Sequence, residues 1–163
     1  MPEVRIRPVR PEDAEAINEV RRQPGVREFT YALPSERVAD NHKFFENLGP
    51  DDHVLVVEVD GRAVGIGGLH VQKSKRRHVG EVGLSIHDDF QNQGLGRALL
   101  AALLDLADNY LGLRRVELET WADNARAIHL YESLGFVVEG RKRQAVFRRG
   151  EYLDVLIMGR LKG

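Results

Sequence analysis

Gly94 and Gly96 stand in the run Gln91-Asn92-Gln93-Gly94-Leu95-Gly96-Arg97-Ala98, where one hydrophobic period gives way to another. Before it, Gly83-Leu84-Ser85-Ile86 is a short apolar run that reads as a strand. After it, Leu95, Ala98, Leu99, Ala102, Leu103, Leu106 and Tyr110 recur at helical spacing. Glycine tolerates backbone angles that side chains oppose, and it lets another molecule come close to the main chain. The N–H groups of a first helical turn have no partner inside the helix, and the macrodipole adds roughly half a positive charge there. Such a turn can hold an anion, a phosphate above all. A tight strand-to-helix connection with no ligand would carry the same two glycines, so other residues must decide.

Two common phosphate motifs do not fit. A P-loop ends in Gly-Lys-Ser/Thr, and the chain has no such run. A dinucleotide fingerprint places a third glycine three positions after the second, where this chain has Leu99.

Gln91-x-x-Gly94-x-Gly96 resembles the acetyl-CoA pyrophosphate motif of the GNAT acetyltransferases, Gln/Arg-x-x-Gly-x-Gly/Ala. Asn124-x-x-Ala127-x-x-x-Tyr131-x-x-x-Gly135-Phe136 resembles that family's second signature, one helix and one strand further on. The resemblance runs from about Val4 to Leu161, and within the family it extends to the L-amino acid N-acetyltransferases of the YhhY type. It implies the GNAT, or acyl-CoA N-acyltransferase, fold: a mixed, mostly antiparallel α/β sheet with helices on both faces. It implies acetyl-CoA as acetyl donor, no metal, and direct transfer to the primary amine of a small molecule, an amino acid foremost. The donor's diphosphate would take backbone N–H groups from Gln93 through Ala98, within a site that includes Gln91, Gly94, Leu95, Gly96 and Arg97. Many members carry an arginine or lysine just before Gly94, where this chain has Asn92 and Gln93. The backbone, the dipole and Arg97 would then do the holding. The pantetheine arm would lie between two parted strands, with Leu84 and Ile86 on one side and Glu119 to Ala122 on the other, pairing as an added strand would.

The same resemblance assigns chemistry. Asn124 suits a helix N-cap, and the resemblance adds a contact from Asn124 and Ala127 to the arm. Tyr131, two turns along the same face, would sit beside the CoA sulfur and protonate or hydrogen-bond the departing thiolate. Ordinary values of roughly 8.5 for a thiol and 10 for a tyrosine suit that role. A core tyrosine beside Leu134 is the plainer alternative. The acceptor amine must lose a proton, and a carboxylate with water access can take it. Glu81, on the strand that feeds the turn, is the candidate, with Glu119 and Asp123 as alternatives. A cross-strand ion pair would equally explain Glu81. The N–H of Leu84 would face the thioester oxygen. Phe29 and Tyr31 would wall the acceptor pocket, or else pack on the second helix. The basic run Lys73-Ser74-Lys75-Arg76-Arg77-His78 would receive an acceptor carboxylate, or else be a solvated loop.

Composition bounds the rest. A chain of 163 residues suits one domain, 1–163, with a full core. The absence of cysteine removes disulfides, thiolate metal sites and a cysteine nucleophile, so direct transfer in a ternary complex is expected. A net charge of −1, with both signs interspersed, argues against nucleic acid. The apolar stretch Ala98 to Leu104 stops at Asp105, far short of the roughly 20 residues that span a bilayer. The residues after Met1 lack a signal peptide's apolar run. A cytoplasmic enzyme without membrane partners is expected, and a homodimer stays open. Two other functions stay open as well. One is acetylation of a protein N-terminus or lysine. The other is a non-catalytic CoA-binding module, which need not keep Glu81 and Tyr131 together.

The elements that must position these residues can be read in order. Val4 to Val9 is a strand. Pro11, Glu12 and Asp13 open a helix carried by Ala14, Ile17 and Val20 and ended by Pro24-Gly25. Residues 26–34 connect. Ser35 caps a second helix with Val38, His42, Phe45 and Leu48 on one face, stopped by Gly49-Pro50. His53 to Val59 and Arg62 to Val71 form a hairpin about Asp60-Gly61. Val79 to Ile86 and Arg115 to Trp121 are strands on either side of the long helix. Asn124 to Leu134 is a helix stopped by Gly135. Phe136 to Phe147 and Glu151 to Met158 pair about Arg149-Gly150.

Overall fold

The computed structural model describes residues 1–162; Gly163, the last residue of the expected domain, lies outside the described residues. Seven strands form one sheet in the order β1-β2-β3-β4-β5-β7-β6. The strands β1 (Val4–Pro8), β2 (Asp52–Val59), β3 (Arg62–Val71) and β4 (Val79–Ile86) run antiparallel, each beside the next. Next, β5 (Arg115–Trp121) lies parallel to β4, and β7 (Glu151–Leu161) and β6 (Val137–Arg148) continue antiparallel beyond it. A parallel step needs a crossover, and α4 (Leu95–Asp105) provides it. The other helices are α1 (Ala14–Arg21), α2 (Pro24–Arg27), α3 (Val38–Glu46) and α5 (Ala125–Ser133).

Side-chain alternation assigns the helices to faces. Val57, Val64, Leu69, Val82 and Ile86 join Leu95, Leu99, Leu100 and Leu103 of α4 in the main core. Val56 and Ala63, with Ile66 beside them, turn the other way onto Ile17 and Val20 of α1. A bulge in the β2–β3 pairing, where Val57 stands opposite Gly65 and Glu58 opposite Ala63, leaves Val64 as an extra residue. That one residue re-phases β3 between its two ends.

The strands fall where the period-two runs predict, save that β7 continues to Leu161, three residues past the expected Met158, and the other differences lie at helix ends. Ser35 does not cap α3; Arg37 does, with the Asp40 carboxylate accepting from its N–H at 2.9 Å and from its guanidinium at 3.0 Å. A charged pair three residues apart replaces the hydroxyl cap. His42 is exposed and Asn41 is the buried residue of that helix, its amide held on the Arg37 carbonyl. Pro11–Asp13 is a 3-10 turn in which Asp13 is buried against Arg7, rather than an acid left at a helix end. Pro24 ends α1 and also opens α2. After α4 the chain widens into a π turn, Leu106–Tyr110, with the Leu111 N–H on the Leu106 carbonyl at 2.9 Å. The extra residue in that turn keeps Ala107 inside and leaves Tyr110 exposed; Ala98 is exposed too.

Candidate active site

β4 and β5 pair only from Val79 opposite Arg115 to Glu81 opposite Glu117, and then they part. Hydrogen-bond alternation tells which main-chain groups face the parting. The His87 N–H goes to the Val64 carbonyl at 2.8 Å, and the Val79 carbonyl accepts from Gln72 at 2.9 Å. Odd-numbered residues of β4 thus turn their main chain to β3, and Val82, Leu84 and Ile86 turn theirs to the gap. At the two ends of β5 the Arg114 carbonyl accepts from Lys162, just past β7, and the Ala122 N–H goes to Asp154 of β7, so Glu119 and Trp121 turn their main chain to the gap from the other side. The sheet is open here along two strand edges.

The glycine turn lies at the C-terminal end of β4. Gly94 stands at the N-cap of α4 with φ 78° and ψ 6°, the left-handed conformation that a side chain opposes. A Cβ added there would meet nothing within 4 Å. The Ala98 N–H bonds the Gly94 carbonyl at 3.0 Å, so the run of free donors expected through Ala98 ends at Arg97. Among the described residues, no main-chain acceptor takes the N–H of Gly94, Leu95, Gly96 or Arg97. Gln91 braces the turn: its Nε2 donates to the Ile86 carbonyl at 3.1 Å, and its Oε1 accepts from Arg126 at 2.7 Å. Gln93 donates to the Asp89 carbonyl at 3.5 Å, and Arg97 donates to the Ser133 hydroxyl, tying α4 to α5.

Asn124 caps α5, its Oδ1 accepting from the Ala127 N–H at 3.3 Å. On that helix Tyr131 is 8 % exposed and meets Phe136 edge-on, ring centres 5.9 Å apart. Its hydroxyl has no hydrogen-bond partner among the described residues and borders the cleft. Burial pushes the phenol up to about 12. It therefore stays protonated at neutral pH and has a hydrogen to donate into the cleft.

The three candidate carboxylates differ in what holds them. Glu119 pairs with Lys142 at 2.6 Å, and Asp123 pairs with Arg148. Glu81 is exposed, lines the cleft and makes no ion pair among the described residues, so the cross-strand pair considered for it does not form. Phe29 and Tyr31 also line the cleft, as does Phe44 of α3, and Phe29 packs with Trp121, Val146 and Val155. Phe29 lies under the Arg148 guanidinium, 5.4 Å from ring centre to carbon, and Tyr31 stands 6.3 Å from Trp121. The basic run stays away: Lys73 pairs with Asp51, Arg76 pairs with Glu117, and neither borders the cleft.

One cleft of about 950 Å³ joins all of this, from Gly94 and Gly96 through the parted strands to Glu81 and Tyr31. It passes through the sheet. Leu84 and Tyr131 belong to the α4 side, with the main core. Glu81 and Gly83 alternate with the core residues of β4 and belong to the α1 side. Sequence reasoning missed His70, which lines the cleft opposite Glu81. A lone histidine on a strand gives no signal by itself.

A parted sheet, a left-handed glycine at a helix N-terminus and a tyrosine along the same opening make an arrangement suited to a CoA-thioester acyltransferase. The chain belongs to the acetyltransferase (GNAT) family, whose model matches residues 17–136. It is 35% identical over 165 residues to the L-amino acid N-acetyltransferase AaaT of Escherichia coli (strain K12), covering 99% of this chain and 100% of the relative. Spermidine N(1)-acetyltransferase from the same strain is 26% identical, covering 95% of this chain and 84% of its own length. The yncA protein of Salmonella typhimurium, solved with its cofactor acetyl-CoA, superposes with a TM-score of 0.83 at 27% identity, covering 97% of this chain and 93% of that one.

Proposed function

We propose that this protein, acting as one domain, transfers the acetyl group of acetyl-CoA to the α-amine of a free L-amino acid. The observation that carries this is the cleft itself, which joins an anion-holding turn on one face of the sheet to an unpaired carboxylate on the other. Acetyl-CoA supplies the activated acyl group. The unspent N–H groups from Gly94 to Arg97 suit its diphosphate, and the Leu84 and Ile86 edge suits its amide-bearing arm. The Leu84 N–H, turned to the gap, suits the thioester oxygen. Glu81 meets the acceptor's ammonium, because Glu119 and Asp123 already hold cations. Phe29, Tyr31 and Trp121 wall the far end with aromatic surface, which favours an apolar or aromatic amino acid. The full-length likeness to an amino acid acetyltransferase supports the same acceptor class.

The test is thiol release from acetyl-CoA over free amino acids, polyamines and peptides. Turnover is expected with an amino acid, with intersecting initial-rate lines as both substrates are varied. Turnover confined to polyamines or peptides would overturn the acceptor, and parallel lines would overturn direct transfer. Tight CoA binding without release for any amine would leave only a binding module.

A further inference from the structure

His70 and Asp52 are register partners in the β2–β3 hairpin, and the imidazole Nδ1 lies 2.8 Å from Asp52 Oδ1. The other oxygen of Asp52 accepts the Gly49 N–H at 2.8 Å. That hydrogen bond, with the one from His70, holds the Asp52 carboxyl below the usual carboxylate range. An ionised carboxylate at Nδ1 fixes the tautomer: Nδ1 carries the hydrogen and Nε2 keeps its lone pair. The Nε2 atom lies over Gly68, where an added Cβ would come within 2.7 Å of it. Gly68 is paired with Gly83, and a Cβ at Gly83 would meet open space. His70 is in turn the cross-strand partner of Glu81. Four residues therefore form a square on the α1 side of the sheet. Two glycines make its floor, and a carboxylate and an oriented imidazole rise beside it. His70, Glu81, Gly68 and Gly83 all line the cleft, and Asp52 stands behind.

We propose that His70, oriented by Asp52, is the proton acceptor of the acetyl transfer, and that Glu81 grips the acceptor's ammonium over the glycine floor. This rests on the N-acetyltransferase reading and adds the proton's route. One ammonium proton leaves nitrogen for Nε2 and then passes to water from the half-exposed ring. The freed lone pair forms the C–N bond. As the C–S bond breaks, a second proton from that nitrogen compensates the one the thiolate receives through the Tyr131 hydroxyl. The products are the amide, CoA thiol and one released proton. Imidazole suits the step because one ring nitrogen is held as a donor by Asp52 while the other keeps a lone pair free to take a proton. Asp52 is a positioning residue. The charged groups around the imidazole are Asp52 from β2 and Glu81 from β4, with Lys73 acting on Asp52, Lys142 of β6 acting on Glu81 and paired with Glu119 of β5, and Arg21 of α1 on the same cleft.

The experiment uses whichever amine of the panel is turned over best, so a polyamine result overturns the acceptor class and still tests the base. His70→Gln is expected to lower kcat/KM for the amine about 100-fold at neutral pH, with acetyl-CoA affinity unchanged. The deficit should close as pH rises toward the amine's own pKa, because the free amine then needs no base. Asp52→Asn should lose about tenfold with the same recovery, and Gly68→Ala should behave like His70→Gln. A His70→Gln profile parallel to wild type at every pH would overturn the proposal. Nitrogen-15 NMR of the imidazoles needs no turnover: hydrogen on Nδ1 of His70, lost as the preferred tautomer in Asp52→Asn, is expected, and hydrogen on Nε2 in the wild type would overturn it.

Discussion

A phenol held at about 12 is no base near neutral pH, and that decides the direction of proton movement at Tyr131. Toward a leaving sulfur its hydroxyl acts as the hydrogen-bond donor. Tyr131→Phe keeps the ring and its edge contact with Phe136. It is expected to lower kcat by about 10- to 100-fold while the affinity for CoA, measured by calorimetry, stays within about twofold. An alkaline limb that moves in the mutant would contradict a phenol protonated throughout that range. Tyr131, Asn124 and Gly94 were legible because their spacings lie within one helix or turn. The Asp52–His70 pair was not. The Asp60-Gly61 turn, with Val59 opposite Arg62, carries a regular register that would bring Leu69 opposite Asp52, on the wrong face. Only the extra residue at Val64 brings His70 there, and Gly65, Gly67 and Gly68 leave too few side chains in that strand to show the shift of phase.

At the scale of elements, the central strands β2 to β5 were legible to within a residue or two because their apolar residues are buried, and a slip would turn that set to water. Helix ends were less so. Their caps depend on which neighbour is within reach, as Asp40 is for Arg37. The parting of β4 from β5 is a property of a pair, invisible in either strand alone. The element that answers it is the turn before α4. Gly94→Val should act twice: the left-handed angle opposes any side chain by roughly 1–2 kcal/mol, and the new side chain would fill the space in front of the free N–H groups. Acetyl-CoA affinity is expected to fall at least tenfold, with the melting temperature lowered by a few degrees. An affinity equal to wild type would mean that the diphosphate is held elsewhere.

Across the whole molecule, charged side chains tie distant parts of the chain to the sheet that carries the cleft. Asp108, on the π turn after α4, takes two hydrogen bonds from Arg160 of β7, at 3.0 and 2.7 Å, and both side chains are largely buried. Those bonds hold the Asp108 carboxyl below its ordinary value, against the opposing effect of burial. At Asp13 burial pushes the carboxyl up, but bonds from Arg7 and from the Arg10 N–H outweigh it and the net shift is again downward. A carboxylate with a depressed folded-state pKa stabilises the fold above its unfolded value, near 4, and that contribution is lost as pH falls through the folded value. Stability should therefore drop below pH 4 rather than in the neutral range. Asp108→Asn tests this tie, together with the Lys162 amine 3.6 Å from the same carboxylate. At pH 7 the variant is expected to lose on the order of 2 kcal/mol, the worth of hydrogen bonds to a charged group. The difference from wild type should narrow steadily below pH 4, because there the wild-type carboxyl is itself losing its charge. Urea unfolding of both proteins between pH 3 and 7 measures this. A deficit that stays constant across the range would show that Asp108 acts by shape and packing, with its charge irrelevant to holding β7 against the end of α4.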